Sequence, residues 1–186
     1  MHSIALIRHG RPALSRNVRL TAREYRDWWA RYDASGLRAG HAPAAHVGAL
    51  VEGARVVSSP LPRARESARL ARGGAEPDRV LAELVEAPLP PPPLGPLRLR
   101  PLTWGTISRL LWMAGHSSDG ESAREAARRA ARAADALEAM AMEAPVAVFA
   151  HGWFNRMVGR ELRRRGWRCA RGRGDGYWSF RVYEKT

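Results

Sequence analysis

A three-layer α/β/α sandwich with a mainly parallel central sheet is the fold class this sequence predicts, and two observations carry it. Short apolar runs at 3–7, in "RVVSSP" at 55–60 and at 146–150 have strand character, and each stops at a polar turn. Segments with helical apolar spacing separate these runs, and strands that alternate with helices pair in parallel. A length of 186 residues suits one sizeable core, so a single catalytic-size domain over 1–186 is expected.

Taken in order, the strand at 3–7 runs into Arg8, His9 and Gly10. "LTAREYRDWWARYDASGL" then places Tyr25, Trp28, Trp29 and Tyr32 three or four apart, as core or pocket wall of a helix that stops near Gly36. "HAPAAHVGALVEGA" reads as a second helix, "RVVSSP" as a second strand, and "LPRARESARLA" as a helix opening after Pro60 and Pro62. "RVLAELVEAPLPPPPLGPLRLRPL" begins as a strand or short helix and continues as a rigid, extended proline-rich surface loop, because the ring holds φ and removes donors. "TWGTISRLLWMAG" has amphipathic helical spacing. An alanine-rich helix follows, with its start expected near Ser118 or Asp119. A strand at 146–150, a His-Gly turn and a helix to about Arg165 come next, and "GYWSFRVYEK" closes the chain as an alternating strand.

The 31 Lys and Arg against 18 Asp and Glu give a net charge of +13, which raises nucleic acid or an acidic membrane as partners. Lys185 is the only lysine and the arginines are spread along the chain, so a compositional bias is preferred and neither partner is expected. Cys169 is the sole cysteine, which excludes an internal disulfide and a thiolate metal cluster. No apolar run approaches the ~20 residues that span a bilayer. With no leader ahead of the first strand, a cytoplasmic location is expected.

In parallel α/β sheets, ligands bind beyond the carboxyl ends of the strands. If the three strands ending in "RHG", "SSPLPR" and "AHG" lie together, Arg8, His9, Arg63 and His151 converge on one anionic centre. Gly10 lets backbone approach a ligand, and the helix start after His151 and Gly152 offers unpaired amides. Two imidazoles among arginines suit a phosphoryl group, whose transfer needs positive charge on its oxygens and an in-line nucleophile. Arginines repel a cation, so no metal is expected, nor any other cofactor.

In "LIRHG", Leu20–Thr21, "SSPLPRARESA" at 58–68, the acidic stretch beyond it and "VFAHG" at 148–152, taken in that order, the chain resembles the phosphoglycerate-mutase-like, Arg-His-Gly branch of the histidine phosphatase superfamily, in the manner of its small bacterial members. The resemblance implies that His9 is transiently phosphorylated, that Arg8 and Arg63 clamp the phosphoryl oxygens, and that His151 hydrogen-bonds them. It also implies an acid for the leaving oxygen. Glu86 in "VEAPLP" is preferred, with Glu83 as the alternative. Relatives carry an Asn soon after the His-Gly; here Ser15 stands nearer that place and Asn17 later, which leaves one phosphate contact unassigned.

The activity so implied is metal-independent hydrolysis of a small phosphorylated metabolite, favoured over mutase chemistry because the chain is short. A phosphoprotein phosphatase and a mutase-type phosphotransferase remain alternatives, as does a basic phosphate- or nucleic-acid-binding protein without catalysis. Monomer and homodimer are both open. His41, His46 and His116 read as surface or cap residues, Cys169 as a spectator in an arginine-rich turn, and "RRRGWRCARGRG" as a solvated loop.

Overall fold

A computed structural model describes residues 2–116 and 120–186. The elements are β1 (His2–Arg8), α1 (Ala22–Ala34), α2 (Ala45–Val51), β2 (Arg55–Ser58), α3 (Pro62–Ala71), β3 (Arg79–Val80), a 3-10 turn (Ala82–Leu84), α4 (Pro101–Met113), α5 (Ala123–Ala141), β4 (Val146–Ala150), α6 (Gly152–Arg164), β5 (Arg168–Arg173) and β6 (Phe180–Lys185). They build one six-stranded sheet in the order β3-β2-β4-β1-β6-β5. The β3-β2, β2-β4 and β4-β1 neighbours are parallel, whereas β6 runs antiparallel to both β1 and β5. The result is the mixed, mostly parallel sheet of an α/β/α sandwich.

Alternation along the strands decides what each layer packs against. Ile4, Leu6, Val146 and Val148 face α5 and α6, where they meet Ala133, Leu137, Phe154 and Val158. Ala5, Ile7, Ala147 and Phe149 face the other way, onto Val47 and Leu50 of α2 and Ala68 of α3. This is why 4–7 and 146–150 are apolar throughout: both faces of β1 and β4 are covered, and a strand buried on two sides cannot alternate with polar residues. Tyr25, Trp28 and Tyr32 of α1 pack with Trp104 of α4 as a separate aromatic cluster.

Local signals explain most boundaries. Thr21 and Glu24 form a reciprocal capping box at the start of α1. Pro62 and Pro101 sit in the first turns of α3 and α4, where a missing N–H costs nothing. Ser118 and Asp119, expected to open the alanine-rich helix, lie outside the described residues. The described helix begins at Ala123, because Ser122 and Glu125 supply its capping box.

Two expectations are corrected. The segment read as a solvated arginine-rich loop is a strand: β5 pairs antiparallel with β6, with a register shift between Cys169 and Arg171. Backbone pairing alone builds this edge, since all its residues are exposed, and positive charge on an exposed edge guards it against further pairing. Trp167 is buried and donates from Nε1 to Glu138 Oε1 at 2.7 Å. Nor is the proline-rich stretch wholly superficial. Pro91 and Pro92 are buried, and its far end is tied to the chain by paired Leu20–Leu99 backbone hydrogen bonds of 2.9 Å.

Candidate active site

The parallel pairing of β1 with β4 sets Arg8 beside Ala150, which brings the two His-Gly turns together. The ring centroids of His9 and His151 are 5.2 Å apart. Both residues are buried, as is Arg63 beneath them. Burial, together with the positive charge of Arg63 and Arg8, holds both imidazoles well below the usual histidine range, so both are neutral at pH 7.

The two rings are held differently. His9 Nδ1 lies 2.7 Å from Gly10 O, and a carbonyl can only accept, so Nδ1 carries the proton. The neutral ring then has its free lone pair on Nε2. In His151 it is Nε2 that is engaged, 2.8 Å from Ser59 Oγ at the end of β2, while Nδ1 is buried without a partner.

Three guanidinium groups surround this pair. Arg8 leaves Nε buried and without a partner, and lies over the Tyr177 ring. Arg63 is oriented by the end of α1: Nη1 donates to Tyr32 O at 3.0 Å and Nη2 to Asp33 Oδ1 at 2.9 Å. Its Nε is buried without a partner and Nη2 keeps a second N–H, so Arg63 still has two nitrogens to offer a ligand. Arg16 is the third, and sequence reasoning missed it. It donates to the Tyr32 hydroxyl, lies over Tyr32 and Tyr177, and lines the cavity that Arg8 lines. Ser15 and Asn17, singled out on either side of it, are exposed and lie outside that lining; Ser15 Oγ only accepts from the Asn17 amide. A local signal existed: within "SRN" the cationic residue is the one suited to an anion.

Glycine is needed at Gly10 for space and not for an unusual φ. A Cβ there would stand 2.6 Å from the Trp178 ring. Trp178 itself holds φ 60, a strained value for a bulky residue, and is fixed by its neighbours. Its Nε1 donates to His41 Nε2 at 2.9 Å, and its carbonyl accepts from His46 Nε2 at 3.0 Å. These two histidines are therefore anchors of the turn before β6, while His116 is exposed as expected. The turn lays Tyr177 over His9, with ring centroids 5.9 Å apart.

Glu86 lines the same cavity, and Glu83 does not; the Glu83 carbonyl accepts from Arg129. The Glu86 carboxylate accepts from the amides of Phe154 at 2.9 Å and Trp153 at 3.3 Å. The amides at the head of α6, which the sequence suggested as free for an anionic ligand, are thus capped by an acidic side chain from elsewhere in the chain. Gly152, between His151 and these amides, leaves room for Arg8, whose guanidinium carbon would lie 3.2 Å from a Cβ at that position. No group of three or more His, Cys, Asp or Glu among the described residues is placed to hold a metal ion.

The cavity has a volume of about 540 Å³; its lining includes Arg8, Arg16 and Glu86, residues of α1 and α4, and Asn155, Arg156, Asp175 and Arg181, but not His9, Arg63 or His151. Such an arrangement can hold a small anionic head against cationic groups and leave its remainder in the outer cavity.

No protein-family model and no curated protein matches the sequence. Solved structures do match it. Phosphoserine phosphatase from Entamoeba histolytica, in complex with 3-phosphoglyceric acid, is 15% identical, with 98% of this chain and 90% of that chain covered and a TM-score of 0.62. The mycobacterial glucosyl-3-phosphoglycerate phosphatase Rv2419c, with VO3, is 19% identical over 98% of this chain and 90% of its own, at a TM-score of 0.60. TTHB049 from Thermus thermophilus is 28% identical, with 86% and 84% covered and a TM-score of 0.54. The fold is that of the phosphoglycerate-mutase-like phosphatases. No described helix is long and apolar enough to cross a membrane.

Proposed function

We propose that this chain is a single-domain, metal-independent phosphomonoester hydrolase of the Arg-His-Gly type, acting on a small phosphorylated metabolite through a phosphohistidine at His9. The observation that carries the reading is the bond from His9 Nδ1 to Gly10 O, which leaves Nε2 as a free nucleophile in a neutral ring among three arginines.

In the first step, the Nε2 lone pair attacks phosphorus while the bond from phosphorus to the ester oxygen breaks. Arg8, Arg16 and Arg63 stabilise charge on the phosphoryl oxygens, and His151 faces them from the second turn. Glu86 delivers a proton to the departing oxygen and releases the alcohol. In the second step, water loses a proton to Glu86 and attacks phosphorus; the P–N bond breaks, His9 is regenerated and inorganic phosphate is released. The phosphatase names among the structural neighbours support this chemistry by analogy of fold.

The test is release of phosphate from an aryl phosphate in the presence of chelator, with inhibition by vanadate and trapping of an acid-labile phosphoenzyme. A requirement for added divalent metal, or turnover without any phosphoenzyme, overturns the reading.

A further inference from the structure

The geometry points to Tyr177 as a positioning residue of the phosphoryl site: its ring, carried on the turn before β6, holds the Arg8 and Arg16 guanidinium groups beside His9. The inference rests on the phosphatase reading and extends it to a residue that lies outside the His-Gly and arginine motifs.

The first observation is what the two arginines have as partners. Arg63 is paired with the Asp33 carboxylate, whereas neither Arg8 nor Arg16 forms an ion pair with a carboxylate among the described residues. Instead the Arg8 guanidinium carbon stands over the Tyr177 ring, 5.1 Å from its centroid, and that of Arg16 stands 5.8 Å from the same centroid. Both lie within the reach of about 6 Å over which a ring face attracts a cation. A carboxylate in this place would hold the same groups and cancel their charge. An aromatic face attracts them through its quadrupole, takes up none of their N–H donors and leaves the charge for an anion. Burial and, after it, the charge of Arg16 pull the Arg8 pKa below the ordinary arginine value, so the ring steadies two groups that repel one another.

The second observation is that the turn is built around Arg8. The Arg8 amide donates to Ser179 O at 2.8 Å, the Trp178 amide donates to Arg8 O at 3.2 Å, and Arg8 Nη1 donates to the Asp175 carbonyl. The Asp175 carboxylate is in turn paired with Arg156 at 3.0 Å and Arg181 at 2.8 Å. Segment 175–179 is thereby registered on Arg8, and the register sets Tyr177 over the Arg8 side chain.

The third is what the turn costs. Trp178 holds φ 60, which a bulky residue keeps only where its neighbours over-determine it; here His41, His46 and the bare Cα of Gly10 do so. Backbone strain of this kind gathers at functional sites. What the strained turn delivers to the site is Tyr177, whose ring centroid lies 5.9 Å from that of His9.

The experiment combines calorimetric titration with inorganic phosphate, steady-state hydrolysis of a nitrophenyl phosphate and urea unfolding, on the unmodified protein, Tyr177→Leu and Tyr177→Phe. Tyr177→Leu should raise the phosphate Kd and lower kcat/KM, each about tenfold, the scale of losing cation–π contacts with two guanidinium groups. Its urea midpoint should stay close to that of the unmodified protein, because Tyr177 is only half-buried. Tyr177→Phe keeps the ring and should restore most of both losses. In an Arg16→Met background the cost of Tyr177→Leu should shrink, since one of the two contacts is already gone. An unchanged phosphate Kd in Tyr177→Leu, a Tyr177→Phe as weak as Tyr177→Leu, or strict additivity with Arg16→Met overturns the inference and leaves hydrolysis standing. A phosphate affinity that falls in Tyr177→Leu and returns in Tyr177→Phe, with no turnover by the unmodified protein, removes the hydrolase reading and keeps the positioning role.

Discussion

The two His-Gly turns come from adjacent parallel strands and differ in what anchors each ring. After β1, His9 gives its Nδ1 proton to the carbonyl next in the chain, and its other nitrogen is free. After β4, His151 has its Nε2 tied to Ser59, just past β2, and its free nitrogen is the one nearer the backbone. Two similar tripeptides therefore leave opposite ring nitrogens without a partner. In the proposed mechanism one attacks phosphorus and the other binds what is attacked. A short motif specifies a ring at a strand end, and its neighbours specify the ring's chemistry.

The strongest way to break this comparison is to remove each ring in turn. His9→Ala should reduce phosphate release to background and abolish the acid-labile phosphoenzyme. His151→Ala should still label, with turnover lowered about 10²–10³-fold, the scale for losing one group that stabilises transition-state charge. Labelling that survives in His9→Ala and vanishes in His151→Ala would exchange the two roles.

Glu86 sharpens the second turn, because it caps α6 there. Glu86→Gln should slow hydrolysis of an alkyl phosphate by roughly 10²–10⁴, the range for one general acid, and slow a nitrophenyl phosphate much less. The same variant should lose about 0.5–2 kcal/mol of stability to urea, as expected for a damaged helix cap. Glu83→Gln should show neither effect; a leaving-group-dependent loss there would move the acid to Glu83.

Arg16 belongs to the first turn, and its contribution is smaller. Arg16→Met should raise KM for a phosphomonoester on the order of tenfold to a hundredfold, the cost of one charge-assisted hydrogen bond. Ser15→Ala and Asn17→Ala should leave KM close to its starting value. The glycines of the two turns can be compared in the same way. Gly10→Ala drives a methyl into the Trp178 ring and should cost about 1–3 kcal/mol in stability. Gly152→Ala meets only the movable Arg8 guanidinium, so its effect should fall on turnover more than on unfolding.

Stability against pH involves both turns at once. Both imidazoles are depressed in the folded protein and unperturbed in the unfolded chain, so the unfolded state takes up protons first as pH falls. Their contribution is complete above the ordinary histidine value near 6.5 and is lost as pH drops below it, by about 1.4 kcal/mol per pH unit for each ring. Urea unfolding at pH 7.5 and 5.5 measures the loss. His151→Gln should reduce the slope, and an unchanged slope would show that this ring titrates normally.

The order of strands and helices was legible because burial writes itself into sequence. Two-sided strands such as 146–150 must be apolar throughout, and caps such as Thr21 with Glu24 act over three residues. The positions of Arg8, His9 and His151 were legible for a related reason: the carboxyl ends of parallel strands converge, so polar residues there lie near one another. Strand β5 was not legible, since its pairing uses backbone groups common to every residue and its side chains stay in water. Nor was the capping of α6 by Glu86 or the tethering of Arg63 to Asp33. Each depends on the direction of a side chain across segments distant in sequence, and no local pattern carries it. By itself the sequence determined which groups arrive at the site, because hydrophobic periodicity decides where strands end. The tertiary structure alone decided which atoms of those groups remain free, because buried polar atoms bond whatever partner the packing sets within reach.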